Sequence, residues 1–213
     1  MQINRILIFT GGTLDLWALD HIQHNDYIIG ADAGALFLIT HGIKPNISLG
    51  DFDSVTAEQL ERIQAESGET LPCDPIDKNY TDTELAWNLA VSKRPRQIIL
   101  LGALGTRFDH TLANVHLLRL AHSANIDAVI IDKHNRISLT SDEKIILAKE
   151  YPYVSLLPLT AEVTGITLTG FQYPLYEATL EIGQSLGISN AMTGEQAVIR
   201  IREGLLLVIE SRD

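Results

Sequence analysis

The sequence predicts an α/β protein: a parallel sheet with helices on its faces, followed by a small antiparallel sandwich or barrel. Three observations carry this. From residue 3 to about residue 132, short apolar runs alternate with helical patterns. The charged residues of that part gather at or just after the ends of the apolar runs, where open α/β sheets bind ligands. Beyond about residue 134 the runs are short and follow one another across turn residues, with no long helical stripe between them.

The first predicted strand is Ile3–Phe9, followed by Thr10, Gly11 and Gly12. Glycines after a first strand let backbone N–H groups approach an anion, and they also form plain loops. The second strand, 27–31, ends in Asp32 and leads to a short helix over 35–41. An acid there caps a helix, or holds a ribose or a metal. The third strand, 46–49, delivers the chain to Gly50-Asp51-Phe52-Asp53-Ser54. In extended backbone, side chains at i and i+2 point the same way, so Asp51 and Asp53 are expected to face one spot. Two converging carboxylates suit a hard cation such as Mg²⁺. The same residue types also make turns, and both roles stay open on this stretch.

Thr56 and Gln59 have capping-box spacing and predict a helix over 57–66. A short fourth strand follows over 69–73. Thr81 and Glu84 repeat the capping-box spacing before an apolar stripe of Leu85, Ala86, Leu89 and Ala90. Asp82 falls in the first turn of that helix, where the dipole favours an anion, and Asp77 and Lys78 lie just upstream. The fifth strand, 97–101, runs into Gly102-Ala103-Leu104-Gly105-Thr106-Arg107-Phe108-Asp109-His110 and a helix over 110–122. This second glycine-rich turn places N–H groups and a guanidinium where phosphates bind. Asp109 is also a candidate cap, and His110 a packed or surface histidine. A sixth strand covers 126–132. Short strands are then expected over 136–140, 144–148, 153–157, 163–168, 179–182, 197–201 and 205–209, with Gly187–Asn190 as a loop.

Formal net charge is −11, which argues against nucleic acid as a partner. A single cysteine, Cys73, permits no internal disulfide and fits a reducing compartment. The early apolar run, Ile6–Phe9, is too short for a signal-peptide core or a membrane span. A soluble, cytoplasmic protein with no membrane partner is expected.

Taken as an ordered set, these stretches resemble the thiamine pyrophosphokinase family. The N-terminal half carries Asp32-Ala33-Gly34-Ala35, Gly50–Ser54, Thr81-Asp82-Thr83-Glu84-Leu85-Ala86 and Gly102–His110; the C-terminal half carries Ser155-Leu156-Leu157-Pro158, Gly170-Phe171-Gln172-Tyr173-Pro174-Leu175 and Ser189-Asn190. The resemblance implies a Rossmann-like parallel-sheet domain over 1–133 that binds ATP and Mg²⁺. A small antiparallel β-sandwich domain over 134–213 would bind thiamine and dimerise. It implies transfer of pyrophosphate from ATP to the thiamine hydroxyl, giving thiamine diphosphate and AMP, by a homodimer with thiamine held between one subunit's α/β domain and the partner's β domain.

On that reading Asp51, Asp53 and Asp82 hold Mg²⁺, and Lys78 and Arg107 offset charge on the migrating group. Asp82 or Asp109 takes the hydroxyl proton. Gly11, Gly12, Asp32, Gly102, Gly105, Arg107 and His110 contact ATP, and Ser189 and Asn190 contact thiamine. The chain departs from the family in two places. Asn79 stands where many bacterial members carry an acid, and the tryptophans, Trp17 and Trp87, both lie in the first half, whereas some members use a C-terminal tryptophan against thiamine. A metal-dependent nucleotide-sugar transferase using Asp51 and Asp53, and a non-catalytic nucleotide sensor, are the alternative readings.

Overall fold

The Arg5–Phe9 stretch forms strand β1, and every residue after Arg5 is buried. In the computed structural model, residues 3–72, 79–147 and 151–213 are described. They divide into two compact units, Met1–Lys133 and His134–Asp213.

In the first unit β1 is joined by β2 (Tyr27–Ala31), β3 (Ile47–Gly50), β4 (Glu69–Pro72), β5 (Gln97–Leu101) and β6 (Asp127–Ile131). All pair in parallel, in the order β4-β3-β2-β1-β5-β6. The central strands are apolar along their length because both faces of a parallel sheet are covered. Leu7, Phe9, Ile99, Leu101, Val129 and Ile131 pack in one cluster with Leu38 of helix α1 (Ala33–Thr40). Three more helices follow: α2 (Ala57–Glu66), α3 (Asp82–Ser92) and α4 (Phe108–Ser123). Helix α2 starts at a complete capping box between Thr56 and Gln59. At α3 the Thr81 hydroxyl accepts from the Glu84 N–H at 3.2 Å. A 3₁₀ helix, Leu16–His21, capped by Asp15, lies in the connection from β1 to β2; its six residues are too few to show helical periodicity in sequence.

The order of the strands reverses between β1 and β5. The chain winds outward from β1 through β2, β3 and β4, then returns to lay β5 and β6 on the other side. That reversal separates the connections leaving β1 and β5, and a crevice opens between them at the strands' carboxyl ends. The two glycine-rich turns, 10–13 and 102–105, are the connections at this point.

The second unit is antiparallel throughout. Strands β7 (Asn135–Thr140), β9 (Tyr153–Pro158), β12 (Asn190–Ala191) and β14 (Leu206–Ser211) form one sheet in the order β12-β9-β14-β7. Strands β8 (Glu143–Leu147), β10 (Glu162–Thr169), β11 (Ala178–Glu181) and β13 (Gln196–Arg200) form the other, in the order β11-β10-β13-β8. Alternate residues of both sheets, among them Val154, Leu156, Ile166, Ile199 and Val208, fill the core between them. The α/β architecture and the antiparallel β unit expected from sequence are thus both present. In this unit a local expectation fails at Asn190, which starts the short strand β12 rather than ending a loop. Among the described residues no helix is long and apolar enough to cross a membrane.

Candidate active site

The acids converge, though not by the route expected. The segment after β3 is not extended: Phe52 has φ +55° and its side chain is buried with Ala35, Ile39 and Ile63. Burying Phe52 anchors the turn. Asp51 closes it by accepting the Asp53 N–H at 3.2 Å. Carboxylate oxygens of Asp51 and Asp53 thereby come within 4.8 Å of each other and of an Asp32 oxygen.

Asp32 was expected to cap α1 if it were structural. It occupies the N-cap position, but its side chain makes no capping bond, because φ +50° and ψ −123° turn the carboxylate away from the helix. Such a conformation is costly for any residue but glycine. The Asp32 N–H donates to Leu49 O at 2.9 Å, and its carbonyl accepts from the Ala35 N–H at 2.9 Å. Its Oδ2 accepts from the Ser54 hydroxyl at 2.6 Å. Its Oδ1 is buried and has no partner among the described residues. A buried carboxylate oxygen without a donor is expensive and suits a cation.

Asp82 joins from the first turn of α3. Burial, followed by repulsion from Asp51 and Asp32, raises its pKa to about 6, even though the Asp51 N–H donates to it. Gly50, at φ +141°, makes the approach possible. A Cβ at Gly50 would lie 3.3 Å from the Asp32 nitrogen and 3.4 Å from Asp82 Oδ1.

Beside the acids lies a cleft of about 280 Å³, lined by the two glycine turns, Asp32, Asp82, Arg107 and His110. The turns are stitched together: the Gly12 N–H donates to Gly102 O at 2.8 Å and the Thr13 N–H to Leu104 O at 3.2 Å. A Cβ at Gly12 would sit 2.1 Å from Gly102 O. Gly12 therefore serves close approach, and its N–H is not the free anion donor that the sequence suggested. Gly11 and Gly105 are exposed along the rim, and the Gly105 N–H reaches Thr111 Oγ1 only at 3.3 Å.

Asp109 is not a cap either. Helix α4 starts two residues earlier than expected, with Arg107 at the N-cap, which leaves Asp109 in the first turn. It pairs with Arg107 at 2.6 Å, and that hydrogen bond holds its carboxyl below the usual carboxylate range. Lys78 lies outside the described residues, and Asn79 is exposed.

In the β unit, Ser189 is exposed at φ +56° and its N–H donates to Ser155 Oγ at 3.0 Å. Asn190 is buried, and its amide is used within the unit. Oδ1 accepts from the Tyr173 and Ala191 N–H groups at 3.0 and 2.9 Å, and Nδ2 donates to Tyr173 O at 2.7 Å. Trp87 is fully buried and offers no face to a ligand. Three residues of the first unit's site escaped the sequence reading as functional candidates: Thr10, Ser54 and Asn114. Only their places next to glycine and acidic motifs could have signalled them.

A switch-point cleft edged by two glycine turns and by Asp32 and Asp82, with Asp51 and Asp53 gathered at Asp32, is the arrangement of an α/β enzyme of the phosphate-transferring kind. The family description "Thiamin pyrophosphokinase, catalytic domain" matches residues 18–130, and "Thiamin pyrophosphokinase, vitamin B1 binding domain" matches 134–206. The chain belongs to the thiamin pyrophosphokinase family. It is 34% identical over 187 residues to the thiamine pyrophosphokinase of Bacillus subtilis (strain 168), covering 87% of each chain. The crystal structure of the Bacillus subtilis thiamine pyrophosphokinase superposes with a TM-score of 0.92 at 32% identity, over 99% of this chain and 100% of that one. That of the Geobacillus thermodenitrificans enzyme superposes at 0.87 and 32% identity, over 98% of each.

Proposed function

We propose that the protein transfers the terminal pyrophosphoryl group of ATP to the hydroxyl of thiamine, releasing thiamine diphosphate and AMP. The observation that carries this is the convergence of Asp32, Asp51 and Asp53, with the unpartnered Asp32 Oδ1, beside the glycine-edged cleft. Together with family membership, it favours this reaction over nucleotide-sugar transfer or simple nucleotide sensing.

The acids fit Mg²⁺: three carboxylates have oxygens in reach of one another, and one oxygen of Asp32 is buried without a donor. Asp51 and Asp53 would hold the ion as the sequence suggests, with Asp32 added to the set and Asp82 bordering it. Bound there, Mg²⁺ supplies charge neutralisation to the phosphates. The chain does the rest by positioning. The glycine turns would receive the phosphates, and Arg107, which borders the cleft while paired with Asp109, would offset charge on the migrating group. Lys78 would add a second positive charge. Between the two candidate bases, Asp109 is weakened by its pairing with Arg107, whereas Asp82 sits near 6. A cation among the neighbouring acids draws Asp82 down, and a loose transition state asks little of a base. Asp82 is therefore our choice of proton acceptor.

For thiamine, the exposed Ser189 is suited to direct contact. Asn190 is suited to holding the Tyr173 backbone in place. A homodimer and a cytoplasmic setting complete the reading; light scattering and cell fractionation test them. The main test is incubation with ATP, Mg²⁺ and thiamine followed by chromatography. AMP and thiamine diphosphate in equal amounts are expected. Release of a nucleoside diphosphate, or ATP binding without thiamine-dependent AMP, would overturn the proposal.

A further inference from the structure

Three consecutive carbonyls in the turn after β5 are each tied to a donor of the protein. Gly102 O accepts the Gly12 N–H at 2.8 Å and the Thr10 hydroxyl at 2.6 Å. Ala103 O accepts Asn114 Nδ2 at 2.8 Å, and Leu104 O accepts the Thr13 N–H at 3.2 Å. Two of the donors are side chains, and both are buried, Thr10 at 2% and Asn114 at 6% exposure. Burying a hydroxyl and an amide is costly unless each is hydrogen-bonded, and the Gly102 and Ala103 carbonyls are the closest acceptors that these two have. Neither is needed to terminate a strand or cap a helix: Thr10 follows the end of β1, and Asn114 stands within the second turn of α4.

The consequence lies on the other edge of the same peptides. In a trans peptide the N–H points opposite to the carbonyl. Turning the carbonyls of Gly102 and Ala103 onto Thr10 and Asn114 turns the N–H groups of Ala103 and Leu104 the other way. Neither N–H has an acceptor among the described residues. Successive N–H groups free of competing carbonyls make an anion-binding concavity, whereas carbonyl lone pairs at the same place would repel a polyphosphate.

We infer that Thr10 and Asn114 are positioning residues for the phosphates: they tie back the Gly102 and Ala103 carbonyls so that the turn offers N–H groups, not lone pairs, to the nucleotide. This rests on the reading of the cleft as the ATP site. It makes a side-chain-to-carbonyl lock, rather than glycine content, the feature that turns this loop into a phosphate receptor.

The test is calorimetric binding of Mg²⁺-ATP and of adenosine to the full chain. Thr10→Val, which keeps shape and removes the hydroxyl, should weaken ATP binding about tenfold and leave adenosine binding within about twofold; Thr10→Ser should restore it. Asn114→Asp, which sets an acceptor against the Ala103 carbonyl, should weaken ATP binding further. Equal losses for ATP and adenosine, or a Thr10→Val variant that binds ATP like wild type, would overturn the inference. Should either variant fail to fold, the unaltered protein decides. Its Ala103 and Leu104 amide resonances must move on addition of inorganic tripolyphosphate with Mg²⁺, and unmoved resonances count against the idea. A separate variant, Thr106→Trp, fills the cleft. Undiminished ATP binding there means the site reading itself fails. Lost binding there, with Thr10→Val and Asn114→Asp binding like wild type, means only the lock is wrong.

Discussion

Replacing Asp82 by asparagine should stabilise the protein in the absence of divalent ions. The Asp82 pKa is raised from 3.8 to about 6, first by burial and then by repulsion from Asp51 and Asp32. A raised carboxylate favours the unfolded state once ionised. The cost is absent below about pH 4, grows between about pH 4 and 6, and is fully present above that. A tenfold change in acidity is about 1.4 kcal/mol, and Asp82 is only half-buried, so solvent screening leaves a cost of about 1–2 kcal/mol at neutral pH. For a chain of this length that corresponds to about 2–8 °C in Tm. Asparagine keeps an oxygen to accept the Asp51 N–H. Thermal unfolding followed by circular dichroism in EDTA should therefore show Asp82→Asn melting above wild type at pH 7.5, with a smaller gap at pH 5. With Mg²⁺ added, wild type should gain more than the variant. A variant that melts at or below wild type at pH 7.5, or a gap that does not narrow on acidification, would refute the argument.

Four further outcomes are expected. Asp51→Ala and Asp53→Ala should each lose turnover by at least about a hundredfold and lose Mg²⁺-dependent thermal stabilisation, yet unfold near the wild-type temperature in EDTA, because the turn is anchored by buried Phe52. Asp32→Gly should abolish activity and melt no lower than wild type, since relief of a strain of about 1–3 kcal/mol offsets glycine's entropy cost; a large drop in Tm would show that Asp32 is structural. Gly12→Ala should cost about 1–3 kcal/mol and raise KM for ATP, because its methyl would have to displace Gly102 O from 2.1 Å; unchanged kinetics would mean the turns are not the nucleotide's cradle. Asn190→Ala should cost about 1–3 kcal/mol in urea unfolding and raise KM for thiamine more than KM for ATP, whereas equal shifts would remove its positioning role.

Much of this protein was legible as a string. Strands at 27–31 and 97–101 and the helix at 57–66 match their predicted limits, because apolar runs and capping boxes are local signals. The family was equally legible, since an ordered set of short motifs requires no coordinates. Tertiary structure decided what depends on partners distant in sequence. Asp51 and Asp53 meet because Phe52 is buried against α1 and α2, not because the backbone is extended. Asp32 stands at a helix N-cap yet brings its carboxylate to Asp51 and Asp53, and Gly50 lets the chain pass close to it. Asn114 is more than ninety residues from the Thr10 that works alongside it, and neither carries a motif of its own. Sequence records which groups exist and how they repeat along the chain. Which lone pairs are already satisfied, and which are left for a ligand, is fixed only when the strands come to lie side by side.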